Sequence, residues 1–499
     1  MNGGRLSRRE LLALGAAGGL ALALGGCGGG RTAARGGSTL GSTWEGSAGE
    51  LDVGPGAPLL ARTELAPAAP LEGALGTLAH LTDAHVLDAE SPARVPFLAR
   101  LGPPFTSTFR PHEALTARVL DGAVRAIEAL GPDAVIQGGD LIDNAQANEL
   151  EWALGLLAGG RVHPDSGASG YRGVQIAGDP DPFYYRPEID APRHPGLLGE
   201  AVRAFLARGL SAPTYPVLGD HDLLVQGVLP PSALTDGIAR GGRAVWDLPQ
   251  DLTLPETATR LSAAAPDGLP DPGLLEPLIR QLLNAPGVRV PADWRRRELS
   301  AGEVVARLRR VASLPASGRF LDYSFDVGGH LRVIVLDLAR RDGGSDGVVH
   351  SGQASWLARE LGRSGRRWII VASHQPLARS PGGPGILALL DQHPRVVAAL
   401  SGHTHSNHIQ PRRGPGGGYW LISTASLIDY PQQARALRLH ATAGGGVALQ
   451  TWMLDHVPAE LGEISRELSY LDAQGGRPKG FAGGPRDRNV TLYRSAPKD

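Results

Sequence analysis

At 499 residues, with Lys plus Arg at 49 and Asp plus Glu at 50, the chain has a formal net charge of −1 and an ordinary apolar content. That length is enough for one long α/β domain with a large core, and the balanced charge argues against a protein that coats nucleic acid, which carries a basic excess. A single cysteine, Cys27, excludes internal disulfides and a cysteine-based zinc site.

The chain opens on Ser7-Arg8-Arg9-Glu10, followed by a Gly/Ala/Leu-rich run from Leu11 to Leu24. A charged start, an apolar run and a small-residue end make residues 1–27 a signal peptide pattern. The run is shorter than the roughly 20 residues a spanning helix needs. The arginine pair resembles a twin-arginine export signal, and Leu24-Gly25-Gly26-Cys27 resembles a bacterial lipobox. Those resemblances imply a lipid anchor at Cys27 and a place on the outer face of the cytoplasmic membrane, or secretion. Residues 28–72 hold few large apolar side chains and read as a flexible tether.

Strands are expected at 77–82, 133–137, 215–218, 331–336, 368–373, 396–400, 419–422 and 448–453. Each is a short, mostly apolar run bounded by Gly or polar residues, as in strands buried on both faces. A helix is expected over 111–130, where Leu115, Val119, Ala123, Ile127 and Leu130 share a face. Stretches at about 150–210 and 227–320 break the strand–helix alternation. They read as insertions capping one face of the core, with helices at 272–283 and 300–312. A core domain over 73–455 is then followed by a short amphipathic helix at 460–471 and a Gly/Pro/Arg tail to residue 499.

Five segments stand just past the ends of expected strands: Asp83-Ala84-His85, Gly139-Asp140, Gly219-Asp220-His221-Asp222, Ser373-His374 and Gly402-His403-Thr404-His405. Open α/β sheets place ligand sites at such ends. Carboxylate and imidazole ligands in one pocket suit a pair of hard-to-borderline ions, about 3.5–4 Å apart in two-metal hydrolases. Asp140 is the candidate for a carboxylate shared by both ions. Asp83 and His85 leave one turn together, His374 ends its own strand, and His403 and His405 are spaced i, i+2.

This set resembles the signature of the calcineurin-like metallophosphoesterases, D-x-H, G-D, G-N-H-[DE], S-H and G-H-x-H, from about Thr77 to Met453. The resemblance implies a four-layer α/β fold, two packed mixed sheets flanked by helices. It implies that Asp83, His85, Asp140 and His405 hold one metal and Asp140, Asp220, His374 and His403 the other. His221 would protonate the leaving oxygen or stabilise the transition state, and Asp222 would orient His221. The implied activity is hydrolysis of a small phosphate ester, as phosphodiesterase or phosphatase, by a hydroxide bridging two Mn, Fe or Zn ions. A metal-dependent nuclease and a catalytically silent metal-binding lipoprotein are the alternatives.

Two departures from that family stand out. Asp220 occupies the position of the usual Asn, replacing a neutral carbonyl oxygen with a charged one. Purple acid phosphatases carry Tyr three residues after the shared Asp, where this chain has Asp143; a helix cap or a hydrogen bond to a ligand is expected of it. Tyr171, Phe183, Tyr184 and Tyr185 fit equally a wall for a base or sugar ring and a small core within the first insertion. Asp179 and Asp181, set among prolines, read as turn-formers.

Overall fold

The computed structural model describes residues 37–101 except 48, 108–248, 279–475 except 281, 282 and 458, and 481–497. The signal peptide with Cys27, and most of the helix expected at 272–283, lie outside the described residues. Among the described residues no helix is long and apolar enough to cross a membrane.

Two mixed sheets, packed face to face and flanked by helices, make an α/β fold. One sheet runs in the order 60–62, 490–494, 447–455, 433–442, 71–81, 134–137, 214–216, with Gly37–Ser38 also paired to Val447–Asp455. The other runs 323–327, 331–336, 368–373, 396–401, 419–423, 408–412. Its four central strands are parallel and bounded by an antiparallel strand on each edge.

Continuous apolar runs form these central strands because both faces are buried. Successive side chains alternate between faces. Val333, Val335, Ile370 and Ala372 enter the core between the sheets. Ile334, Leu336, Ile369 and Val371 enter a second core beneath the helices Gln353–Arg363 and Gly383–Gln392. Each such Ile, Val or Leu contributes about 1.5–3 kcal/mol on leaving water, so a shift of one residue in register would exchange two full faces. On the far side, Thr116–Leu130 buries Val119, Leu120, Ala123 and Ile127, the face its spacing predicts.

The second insertion returns to the core through Ala301–Val311. Ser300 accepts from the Glu303 amide while Glu303 accepts from the Ser300 amide, a capping box that starts the helix. Val304, Val305 and Leu308 then join the main core.

The expected tether over 28–72 is corrected from residue 37 onward. Ser42–Ser47 and Glu50–Pro55 form a hairpin. Leu60–Arg62 pairs in parallel with Val490–Arg494, and Gly37–Ser38 pairs with the last long strand. The Thr39 hydroxyl lies within hydrogen-bond distance of Met453 O and of Asn489 Oδ1, and Arg466 lies over the Trp44 ring. Of the Gly/Pro/Arg tail, Val490–Arg494 is docked by the same seam, between Val447–Asp455 and Leu60–Arg62.

Candidate metal centre

The segments Asp83–His85, Asp140, Asp220–Asp222, His374 and His403–His405 leave strands of both sheets and meet at one end of the sandwich. The turns that carry them are tight. Asp83, His85, Asp140, His403 and His405 all have positive φ, five of the nine non-glycine residues with that conformation among those described. Side chains with a Cβ adopt it at a cost of order 1–3 kcal/mol, and it persists where the surroundings enforce it. The paired glycines explain themselves by space. A Cβ on Gly219 would fall on the Asp140 carboxylate, and one on Gly402 would fall on Thr82 Oγ1 and Asp83 Oδ2.

Asp140, Asp220, His374 and His403 offer ligand atoms all within 4.8 Å of one another, and so do Asp83, His85 and His405. His374 Nε2 lies 3.0 Å from Asp140 Oδ2 and 3.3 Å from Asp220 Oδ1, and His403 Nδ1 lies 3.2 Å from Asp220 Oδ1. His405 Nε2 is 3.2 Å from Asp83 Oδ1, and His85 Nε2 is 3.7 Å from Asp140 Oδ2. Asp140 therefore stands between the two groups.

The imidazole tautomers are set from outside the cluster. His374 Nδ1 lies 2.8 Å from the Gly138 carbonyl, which only accepts, so Nδ1 carries the hydrogen. His85 Nδ1 meets Asp143 Oδ1 at 2.9 Å and His405 Nδ1 meets Asp429 Oδ2 at 2.6 Å, again donor to carboxylate. In the neutral rings each Nε2 is then a bare lone pair aimed into the cluster, the arrangement of metal-binding histidines. His85 Nε2 and His374 Nε2 are buried with no hydrogen-bond partner of acceptable geometry. Lone pairs facing the buried carboxylates of Asp83, Asp140 and Asp220 are mutually repulsive unless cations lie between them. The donor set fits two metal ions.

Without ions, protons on His374, His405 and His221 would take that role. Burial opposes the charged form of His405, yet Asp83 and Asp429 outweigh it and push its pKa up to about 9. His374 is raised in the same way by Asp140 and Asp83. Burial likewise opposes the charge of His221, but Asp140, Asp143 and Asp220 raise it to about 10.

His221 lies against the same cluster, with His85 and Asp140. Its Nδ1 is 2.9 Å from the Asp143 carbonyl and 3.2 Å from Asp143 Oδ1, and its backbone N–H donates to Asp140 Oδ1 at 2.9 Å. The expected pairing with Asp222 is corrected. Asp222 Oδ1 accepts from the Leu141 and Ile142 amides and its Oδ2 from the Gly219 amide. It ties the Asp140 loop to the Asp220 loop, and its buried carboxyl is pushed up to about 7 by desolvation and by Asp140. Asp143 does the orienting, for His85 and His221 together, and not the helix capping.

Several contributors carry no motif. Asp429 receives Arg110 through Nε and Nη2 as well as His405. Its signal is positional, an acid in the loop after another central strand. Glu149 accepts from the Asp88, Asp143 and Asn144 amides and so folds the loop that presents Asp143. Gln226 donates to Asp143 Oδ2 and Asn144 Oδ1, and Gly227 packs on the His221 ring. Phe481, from the C-terminal segment, stands 6.2 Å from the His405 ring.

Of the two readings of the insertion aromatics, the structure shows the small core. Tyr184 is fully buried against Phe109 and Phe183, and its hydroxyl donates to Trp246 O. Asp179 and Asp181 accept from amides two residues on, as turn-formers do.

No family model matches the chain, and no curated protein matches it in sequence. Solved structures with a similar course of chain include a dimetal phosphatase from Danio rerio, at 12% identity and a TM-score of 0.39, covering 77% of this chain and 98% of that one. A purple acid phosphatase from yellow lupin (Lupinus luteus) seeds follows at 11% and 0.31, covering 89% and 57%. A structure of PhoD stands at 11% and 0.30, covering 85% and 80%.

Proposed function

We propose that the protein is a metal-dependent phosphoester hydrolase acting on a small phosphodiester or phosphomonoester through two ions. One observation carries the reading: two groups of buried carboxylates and Nε2- or Nδ1-aimed imidazoles meet at Asp140. Asp83, His85, Asp140 and His405 would hold one ion and Asp140, Asp220, His374 and His403 the other. When bound, such a pair supplies Lewis acidity and a water acidified to near neutral pH.

The chain's own residues supply the rest. His221 is partly exposed beside the cluster, with Nδ1 committed to Asp143. Its Nε2–H, 4.0 Å from Asp220 Oδ2, is the remaining donor in the charged ring, placed to give a proton to a leaving oxygen and to offset charge on the phosphoryl group. Asp143 fixes the ring that does this. Resemblance at the N-terminus supports export and lipid attachment at Cys27, which we propose as the protein's location.

The test is turnover of p-nitrophenyl phosphate and bis(p-nitrophenyl) phosphate by protein loaded with Mn²⁺, Fe or Zn²⁺. Hydrolysis of at least one is expected, and inertness toward both with every metal would sink the proposal. His221→Ala should lower kcat about 10²–10⁴-fold with metal content unchanged. A variant as active as the parent would remove His221 from the mechanism and favour a role in binding alone.

A further inference from the structure

The two halves of the cluster have the same composition. One has Asp83, His85 and His405; the other has Asp220, His374 and His403; Asp140 is common to both. Each half therefore offers two carboxylates, one of them shared, and two imidazoles. The equality rests on Asp220, since an amide there would leave the second half one charge short.

Asp220 is held by a residue outside the ligand set. Gln375 Nε2 donates to Asp220 Oδ1 at 3.0 Å and to the Ser345 carbonyl at 3.2 Å. Both partners are acceptors, so the amide nitrogen, and not its oxygen, must face them. Gln375 is buried and its Oε1 has no partner, so the contacts of its nitrogen decide how the amide points. The packing leaves it little freedom. A Cβ on Gly347 would overlap Gln375 Cβ and Ser380 Oγ. The Ser345 segment is itself tied down by the Gly344 amide, which donates to Val228 O. A donor fixed at this point selects an acceptor at position 220 and turns its Oδ1 toward His374 and His403.

We propose that Gln375 is a positioning residue that sets Asp220 so that the two half-sites bind their ions with matched affinity. Neither half-site is then filled in preference to the other. This rests on the reading of the cluster as a two-ion centre. An unequal pair would release its weaker ion first on dilution; a matched pair loses either ion equally readily.

The measurement uses chelator-stripped protein titrated with Mn²⁺. At one equivalent, native mass spectrometry should find metal-free, one-ion and two-ion protein together, and calorimetry should give dissociation constants within about tenfold of each other. Asp220→Asn, nearly isosteric, and Gln375→Ala should each weaken one ion about 10–100-fold and spare the other, the usual range for losing a group that orients a ligand. At one equivalent the one-ion form then dominates. In an Asp220→Asn background, Gln375→Ala should have a smaller effect than in the parent, because it acts through Asp220. Parent constants more than 100-fold apart would overturn the inference, as would Gln375→Ala weakening both ions equally. A parent that binds no ion would overturn the proposed function itself.

Discussion

Asp143 and Asp222 are both buried, both beside His221 in space or sequence, and differ in what they hold. Asp143 orients two imidazoles, whereas Asp222 accepts from three backbone amides. Asp143→Asn should lower metal affinity about 10–100-fold and turnover with it, as expected when a group orienting a metal ligand is lost. Asp222→Asn should instead lower stability by about 1–3 kcal/mol, since an amide NH₂ turned on a backbone N–H leaves a buried donor unmet. Thermal melts and metal titrations on the two variants separate these effects. If Asp222→Asn weakened metal binding without lowering the melting temperature, the assignment would be reversed. The sequence places Asp83, His85, Asp140, Asp220, His374, His403 and His405 at strand ends, and the structure brings them together there. The sequence could not place Asp222, because adjacent side chains on a tight turn point apart and one of them met the neighbouring loop.

At the scale of elements, legibility followed burial. The strands at 331–336 and 368–373 occupy their expected bounds because both faces are apolar and nothing else explains such runs. The strand Gln433–Thr442 went unseen. It alternates Arg435, Leu437, Leu439 with Arg438 and His440, and one of its arginines is buried. Arg435 satisfies its guanidinium on Thr424, Thr451, Asn407 and the Asp487 carbonyl, partners no local pattern announces. The strands Gly37–Ser38 and Leu60–Arg62 carry no local signal for a related reason: their pairing partners lie some hundreds of residues away. Deleting residues 37–62 should therefore lower the melting temperature by several degrees, as the loss of a few kcal/mol of pairing and burial does in a domain this size. A chain unaffected by the deletion would restore the tether reading.

For the whole molecule, the centre couples stability to pH. His405 stands at about 9 and His221 at about 10 in the metal-free fold, against about 6.5 when unfolded. A raised imidazole pKa stabilises fully below about pH 6.5 and loses that contribution as pH climbs through the folded value. Metal-free protein should thus lose melting temperature from about pH 6.5 to 10, as discharge of the imidazoles strands the carboxylates. The lowered pKa values of Asp83, Asp220 and Asp429 act at the other end, stabilising until strong acid protonates them. Metal-loaded protein, whose histidines bind neutral, should be flat across the alkaline range. Melting curves with and without Mn²⁺ decide the matter, and identical slopes would contradict it.

The seam that joins residues 37–62 to 447–494 also sets a timetable. Among the described residues Gly37–Ser38 pairs with Val447–Asp455 and Leu60–Arg62 with Val490–Arg494, so ribosomal synthesis delivers one partner long before the other. The edge pairing of Leu60–Arg62 with Val490–Arg494 cannot close until residue 494 has emerged, and nascent chains stalled before Val490 should leave residues 60–62 open to protease. The C-terminal segment that closes the seam also carries Phe481 to the rim of the centre beside His405.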